Sequence, residues 1–179
     1  LFLPALTSAT VDTLYNQALD ALLRMQTDVA SDDLPPYDEV RLVAEMELMP
    51  TWFLERHLGF TPECEDWDII EPAFRVLVNS ASQQTPCFVH RDFHSRNLLL
   101  SDDGNPGILD FQDAVRGPMT YDLVSLLRDC YIAWPAEQVD TWVEHYRERA
   151  ESAGMKTGSP ERFLRAFDLM GLQRHLKVL

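Results

Sequence analysis

The stretch Phe88-Val89-His90-Arg91-Asp92-Phe93-His94-Ser95-Arg96-Asn97-Leu98, followed one turn later by Ile108-Leu109-Asp110-Phe111, decides how this chain folds. Cys87-Phe88-Val89, Leu98-Leu99-Leu100 and Gly107-Ile108-Leu109 are short apolar runs of the kind that form strands. Between the last two lies Ser101-Asp102-Asp103-Gly104-Asn105, a turn sequence, so a β-hairpin is expected over about 98–101 with 107–110. Asp92 and Asn97 then share one tight loop, and the hairpin folds Asp110 back beside it. Three oxygen-bearing side chains converge in that arrangement.

Outward from this centre the period is helical. Val11, Leu14, Ala18, Leu22 and Met25 fall on one face of a helix over about 9–28, with Thr7 or Ser8 as its cap. Ser31 to Pro36 reads as a loop. Asp38 caps a helix over about 39–58, closed by Gly59 and kinked or broken at Met49 by Pro50. A third helix, about 65–81, carries Trp67, Ile70, Phe74, Leu77 and Val78 on one side. Three more are expected at about 120–133, 136–152 and 160–177. The fold class is therefore mainly α with a small central β-hairpin, an α+β lobe.

The bulk numbers narrow the function. The 179 residues hold 29 acids against 15 bases, a net charge of −14. A field of that sign repels phosphate backbones, so nucleic acid is not an expected partner. No apolar run approaches the roughly 20 residues of a membrane span. Cys64, Cys87 and Cys130 are widely spaced, form no CxxC, and suit buried thiols in a reducing cytoplasm. The opening Leu1-Phe2-Leu3-Pro4 has neither the basic region of a signal peptide nor an initiator Met, and the last helical pattern runs to Leu179 without a stop signal. The chain is accordingly expected to be a piece of something longer.

Read as chemistry, the central string fits phosphoryl transfer. A triphosphate is held with magnesium, which prefers carboxylate, carbonyl and water oxygens. Asp110 supplies a hard anionic ligand and Asn97 a neutral oxygen. Asp92 sits where an acceptor hydroxyl would be oriented and deprotonated, and positioning with charge neutralisation does most of the work in a loose transition state. Taken singly, Asp110 is a turn residue, His90 a core histidine and Asn97 a turn former; the combined spacing is what is specific.

These residues resemble the catalytic and metal loops of the aminoglycoside-phosphotransferase-like kinases, relatives of protein kinases that act on small molecules. The resemblance implies the C-terminal lobe of the protein-kinase-like fold, with ATP as donor and Mg2+ as cofactor. It makes Asp92 the catalytic Asp, Asn97 and Asp110 the magnesium ligands, and His90 a loop brace. Gly117-Pro118-x-x-Tyr121-Asp122-Leu123 is similar to the family's following motif, whose Asp, here Asp122, pins the loop from behind. Leu34-Pro35-Pro36-Tyr37-Asp38-Glu39, Asp110-Phe111-Gln112-Asp113-Ala114 and Tyr121-Asp122-Leu123-Val124-Ser125-Leu126-Leu127 are similar to the subgroup of bacterial anomeric kinases of N-acetylmuramate and N-acetylglucosamine, which act in cell-wall sugar recycling.

Candidate contacts to such a sugar are His94, Arg96, Gln112, Asp113, Arg116 and Arg128, with Arg116 first for a substrate carboxylate. Tyr131 and Trp134 read either as sugar platforms or as core. No Gly-x-Gly occurs, and Lys156 and Lys177 are the only lysines, so the nucleotide-clamping N-terminal lobe is expected to be absent. A lobe without its partner exposes an apolar face, which favours self-association. Alternatives are another acceptor (aminoglycoside, choline-like, homoserine-like or fructosamine-like), a non-catalytic sugar-binding lobe, or a hydrolase built on the Asp110–Asp113 pair.

Overall fold

The computed structural model of the chain describes residues 1–102 and 104–179; the expected turn residue Asp103 lies outside them. Its elements run α1 (Val11–Asp28), α2 (Glu39–Met46), a wider π-type helix (Met49–His57), α3 (Cys64–Ser82), β1 (Pro86–Val89), β2 (Leu98–Leu99), β3 (Gly107–Ile108), β4 (Val115–Pro118), α4 (Tyr121–Leu127), α5 (Ala136–Ser152) and α6 (Pro160–Val178). Among the described residues no helix is long and apolar enough to cross a membrane.

The centre of the lobe is α4, every residue of which is buried. Helix α6 packs on it and on α3 and α5, and α1 lies against α4, α5 and β1. The apolar stripe read from the sequence of α1 does face this core: Val11, Ala18 and Leu22 are buried, joined by Tyr15 and Leu19. Burying side chains of this size contributes about 1.5–3 kcal/mol each before entropy is counted. One polar chain crosses the core. Tyr146 donates to Gln26 Oε1 at 2.7 Å, and Gln26 Nε2 donates to the Met119 carbonyl at 2.9 Å, so no member is left unsatisfied.

Two antiparallel pairs replace the single expected hairpin. Inner strands β2 and β3 pair Leu98 with Ile108 and Leu99 with Gly107, a shorter ladder than the one read over 98–101 and 107–110. It ends before Asp110 because that residue has φ 61, a left-handed conformation no strand continues through. Outer strands β1 and β4 pair Pro86 with Pro118 through Val89 with Val115. Strand β4 was not expected, since no apolar run marks residues 115–118. Pro118 is tolerated at the end of this two-stranded ladder. A further segment, Pro35 to Tyr37, lies alongside β4: Arg116 N donates to the Pro35 carbonyl at 2.9 Å and Tyr37 N to the Arg116 carbonyl at 2.8 Å. Gly117 permits this approach, because a Cβ there would stand 2.9 Å from Tyr37 Cβ.

The helix boundaries differ in three places. The helix expected over 39–58 divides after Met46. Asp38 does cap it, accepting from Arg41 N at 3.2 Å, and Pro50, lacking an N–H, starts a separate wider-pitch segment. The helix expected over 120–133 stops at Leu127, because Asp129 turns its carboxylate inward to other partners. Helix α1 begins at Val11 after Thr10, and the Thr10 hydroxyl bonds the preceding Thr7 amide and Ala5 carbonyl rather than the helix. All three cysteines are free, but only Cys87 is buried; Cys64 and Cys130 are exposed, against the expectation of buried thiols.

Candidate active site

The nested strands position the loops. The outer pair β1–β4 and the inner pair β2–β3 are joined by two connections, residues 90–97 on one side and 109–114 on the other. They must run side by side, since both bridge the same two ladders. Leu109 N donates to the Asn97 carbonyl at 3.0 Å, which sets Asp110 beside Asn97.

The first loop is held by two buried carboxylates from the region of α4. Asp122, with no exposure, accepts from His90 N at 2.6 Å and from Arg91 N at 3.0 Å. Arg91 has φ 77, and a left-handed residue next to an ordinary one lets consecutive N–H groups converge on one anion. Burial pushes the Asp122 carboxyl up to about 7, against the two N–H groups and the Arg174 charge, which favour ionisation. Asp129 accepts from Ser95 N at 3.0 Å and Ser95 Oγ at 2.5 Å with one oxygen, and from Tyr131 N at 3.0 Å with the other.

The left-handed backbone of Arg91 costs roughly 1–2 kcal/mol for a side chain bearing a Cβ. Its guanidinium is fixed by Glu45 Oε1 at 2.6 Å, and the same oxygen receives Lys177 Nζ at 3.0 Å while Tyr37 donates to the other. Burial would raise the Glu45 pKa, but Tyr37, Lys177 and Arg91 together hold it below the usual range. Helix α2, the loop and the end of α6 thus meet at one carboxylate.

Within this frame Asp92 is half-buried, and among the described residues its carboxylate accepts no hydrogen bond. Its carbonyl accepts from His94 N at 3.1 Å and from Asn97 Nδ2 at 3.0 Å. Because the amide nitrogen of Asn97 is used there, its oxygen remains as an acceptor. Asp92 N donates to His90 Nδ1 at 3.3 Å, which assigns the imidazole proton to Nε2. Burial lowers the His90 pKa, and the charges of Asp92 and Asp110 both oppose that shift, so His90 lies in the field of both. Asp92, Asn97 and Asp110 are in this way tied into one patch, with Asp110 exposed at its rim.

The other expected residues divide into three groups. His94 and Arg96 gather on exposed Tyr131, the imidazole 5.5 Å from its ring and the guanidinium 4.8 Å above it. Burial holds the His94 pKa down. Gln112 and Asp113 edge a cleft of about 420 Å³ shared with Arg41, Glu45 and Arg91. Arg116 and Arg128 face elsewhere. Arg116 Nε lies 3.5 Å from Asp32, and Arg128 pairs with Asp168 at 2.5 Å over the Phe167 ring. Trp134 is held in the core, its indole donating to the Tyr15 hydroxyl at 3.1 Å.

Sequence reasoning missed Asp129 and Glu45. Asp129 stands seven residues after Asp122, two helical turns on, and that spacing was the available signal. Glu45 had none, since its charged partners Arg91 and Lys177 lie 46 and 132 residues away. Among the described residues no group of three or more His, Cys, Asp or Glu is arranged to hold a metal. An exposed Asp110 carboxylate and a free Asn97 oxygen are instead a hard-oxygen pair of the kind that binds magnesium with water completing the shell.

The phosphotransferase enzyme family matches residues 2–158. The chain belongs to that family. The N-acetylmuramate/N-acetylglucosamine kinase of Pseudomonas aeruginosa is 45% identical over 99% of the chain and 53% of the relative. Its Pseudomonas putida counterpart is 41% identical over 99% of the chain and 52% of the relative. The chain thus spans about half the length of these curated relatives. Among solved structures, an amicoumacin kinase in complex with AMP-PNP, Ca2+ and Ami superposes with a TM-score of 0.63 at 17% identity, covering 97% of the chain and 52% of the kinase. At that identity the likeness speaks for the fold alone: this family member has the helical lobe with small nested sheets that such kinases share.

Proposed function

We propose that the complete protein is an ATP-dependent kinase of the anomeric C1 hydroxyl of N-acetylmuramate or N-acetylglucosamine, acting in the cytoplasm in cell-wall sugar recycling. The observation that carries this reading is the unpartnered Asp92 carboxylate on a loop held from behind by two buried acids, with Asn97 and Asp110 alongside. The sugar acceptor is supported by the names of the relatives at 45% and 41% identity.

Asp92 orients the sugar hydroxyl and takes its proton as the bond to phosphorus forms. Its carboxylate is free for this because the loop is held through backbone groups and through Ser95. Asn97 and Asp110 would hold Mg2+, which when bound neutralises charge on the transferring phosphoryl group. His90 and Asp122 keep the loop in place. His94, Arg96, Gln112 and Asp113 contact the acceptor, and Arg96 supplies the cation for the carboxylate of N-acetylmuramate.

The test is ATP- and magnesium-dependent consumption of N-acetylmuramate by the complete protein. Asp92→Asn is expected to lower kcat by about 10²–10⁴-fold with little change in stability. Turnover of an aminoglycoside but not of either amino sugar would sink the acceptor assignment while leaving phosphotransfer intact. Full activity in Asp92→Asn would sink both.

A further inference from the structure

A larger cleft, of about 630 Å³, opens at the opposite end of β1 from the candidate active site. Thr85 precedes that strand and lines the cleft, whereas His90 follows it and begins the catalytic loop, so the two are separated by about 13 Å of strand. The walls are the end of α3, the loop joining α5 to α6, and the first half of α6.

The charge of this cleft runs against that of the chain. Acids outnumber bases 29 to 15, yet among the described residues no Asp or Glu lines it, while Lys156, Arg162 and Arg165 do. Among the described residues none of these three cations forms an ion pair. Glu161 lies next to them in sequence but shares its electrostatic neighbourhood with Glu144 and Arg147 of α5. The start of α6 is already capped by Ser159, which accepts from Arg162 N at 3.4 Å, so the cleft does not depend on bare helix amides.

Gln84 helps to fix one wall of the cleft. Its Oε1 accepts from Thr120 N at 3.1 Å and from Thr120 Oγ at 2.8 Å. A backbone N–H can only donate, so the amide orientation is fixed and Nε2 faces the other way. That Nε2 is buried without a partner. With no accessible surface, that nitrogen is part of the wall, and the two bonds to Thr120 hold Gln84 in place there. The cleft is also preformed, since Thr85 Oγ donates to the Lys156 carbonyl at 2.7 Å and pins the loop onto the end of α3.

We propose that this cleft is a second ligand site, distinct from the catalytic loop, for a small polyhydroxylated molecule that carries a phosphate. Arg162 and Arg165 are three residues apart on one face of α6 and, with Lys156, complement a dianion. Asn79, Ser80 and Gln83 line the cleft and offer partners for hydroxyls. The volume falls in the range of small-molecule sites, about 300–1,000 Å³.

Titration calorimetry on the complete protein with glucose 1-phosphate, inorganic phosphate and glucose tests this. Glucose 1-phosphate is expected to bind more tightly than phosphate, glucose not to bind, and affinity to fall with added salt. The double variant Arg162→Ala/Arg165→Ala changes only exposed side chains, so its melting temperature should hold while affinity for glucose 1-phosphate drops by about tenfold or more. The proposal is overturned if the natural protein does not bind glucose 1-phosphate, if the double variant binds it equally well, or if inorganic phosphate binds as tightly.

Discussion

Replacing Asp122 by alanine strands the His90 and Arg91 amides. Both N–H groups end on this one carboxylate, at 2.6 and 3.0 Å, in a place with no solvent exposure. Leaving a buried donor unsatisfied costs about 1–3 kcal/mol, so about 2–3 kcal/mol is a fair figure for the pair if one water finds room in the space vacated. For a domain of this size each kcal/mol lowers Tm by about 2–4 °C, which puts the loss at about 4–12 °C. The loss should depend on pH in a stated direction. The folded carboxyl is raised to about 7 by burial, so the folded protein keeps a proton that the unfolded chain releases near 3.9. The contribution of this group to stability is fully present below about pH 4 and declines as pH rises to 7. Alanine does not titrate, so the gap between natural protein and variant is widest at and below about pH 4 and narrows toward pH 8. Thermal unfolding followed by circular dichroism at several pH values measures it. A gap that widens with pH, or no loss at pH 5, would refute the account of Asp122 as a buried brace.

Three further outcomes follow from neighbouring geometry. Asp129→Asn places an amide NH₂ against the Ser95 or Tyr131 donors, and should cost about 1–3 kcal/mol by urea denaturation. Gly117→Ala drives a methyl to 2.9 Å from Tyr37 Cβ, forcing the Pro35–Tyr37 segment off β4, with a loss of about 1–3 kcal/mol and faster proteolysis near Tyr37. Glu45→Gln removes the charge facing Arg91 and Lys177 and should destabilise by about 3 kcal/mol, whereas removing Glu71, exposed with its partner Arg75, should shift Tm by less than about 1–2 °C. Equal effects for Glu45 and Glu71 would contradict the burial argument.

Periodicity and turn chemistry fixed the helices where local rules dominate. The stripe of α1, the Asp38 cap, the break at Pro50 and the span Ala136–Ser152 are all local properties of the chain. The spacing of Asp92, Asn97 and Asp110 was likewise visible, because a loop and a hairpin bring near neighbours together. Strand β4 was not, since its pairing with β1 depends on a partner 26 or more residues away and on a glycine that admits Tyr37. Nor could the sequence tell that Glu45 would hold Arg91, that Asp129 would end α4 by reaching for Ser95, or that Arg116 and Arg128 would turn to Asp32 and Asp168. A side chain's partner across the fold is selected by the packing of whole helices and sheets, which no short window of residues contains. The same holds for the basic cleft: Lys156, Arg162 and Arg165 are ordinary surface charges in the sequence, and only the closure of α6 onto the end of α3 gathers them around one cavity.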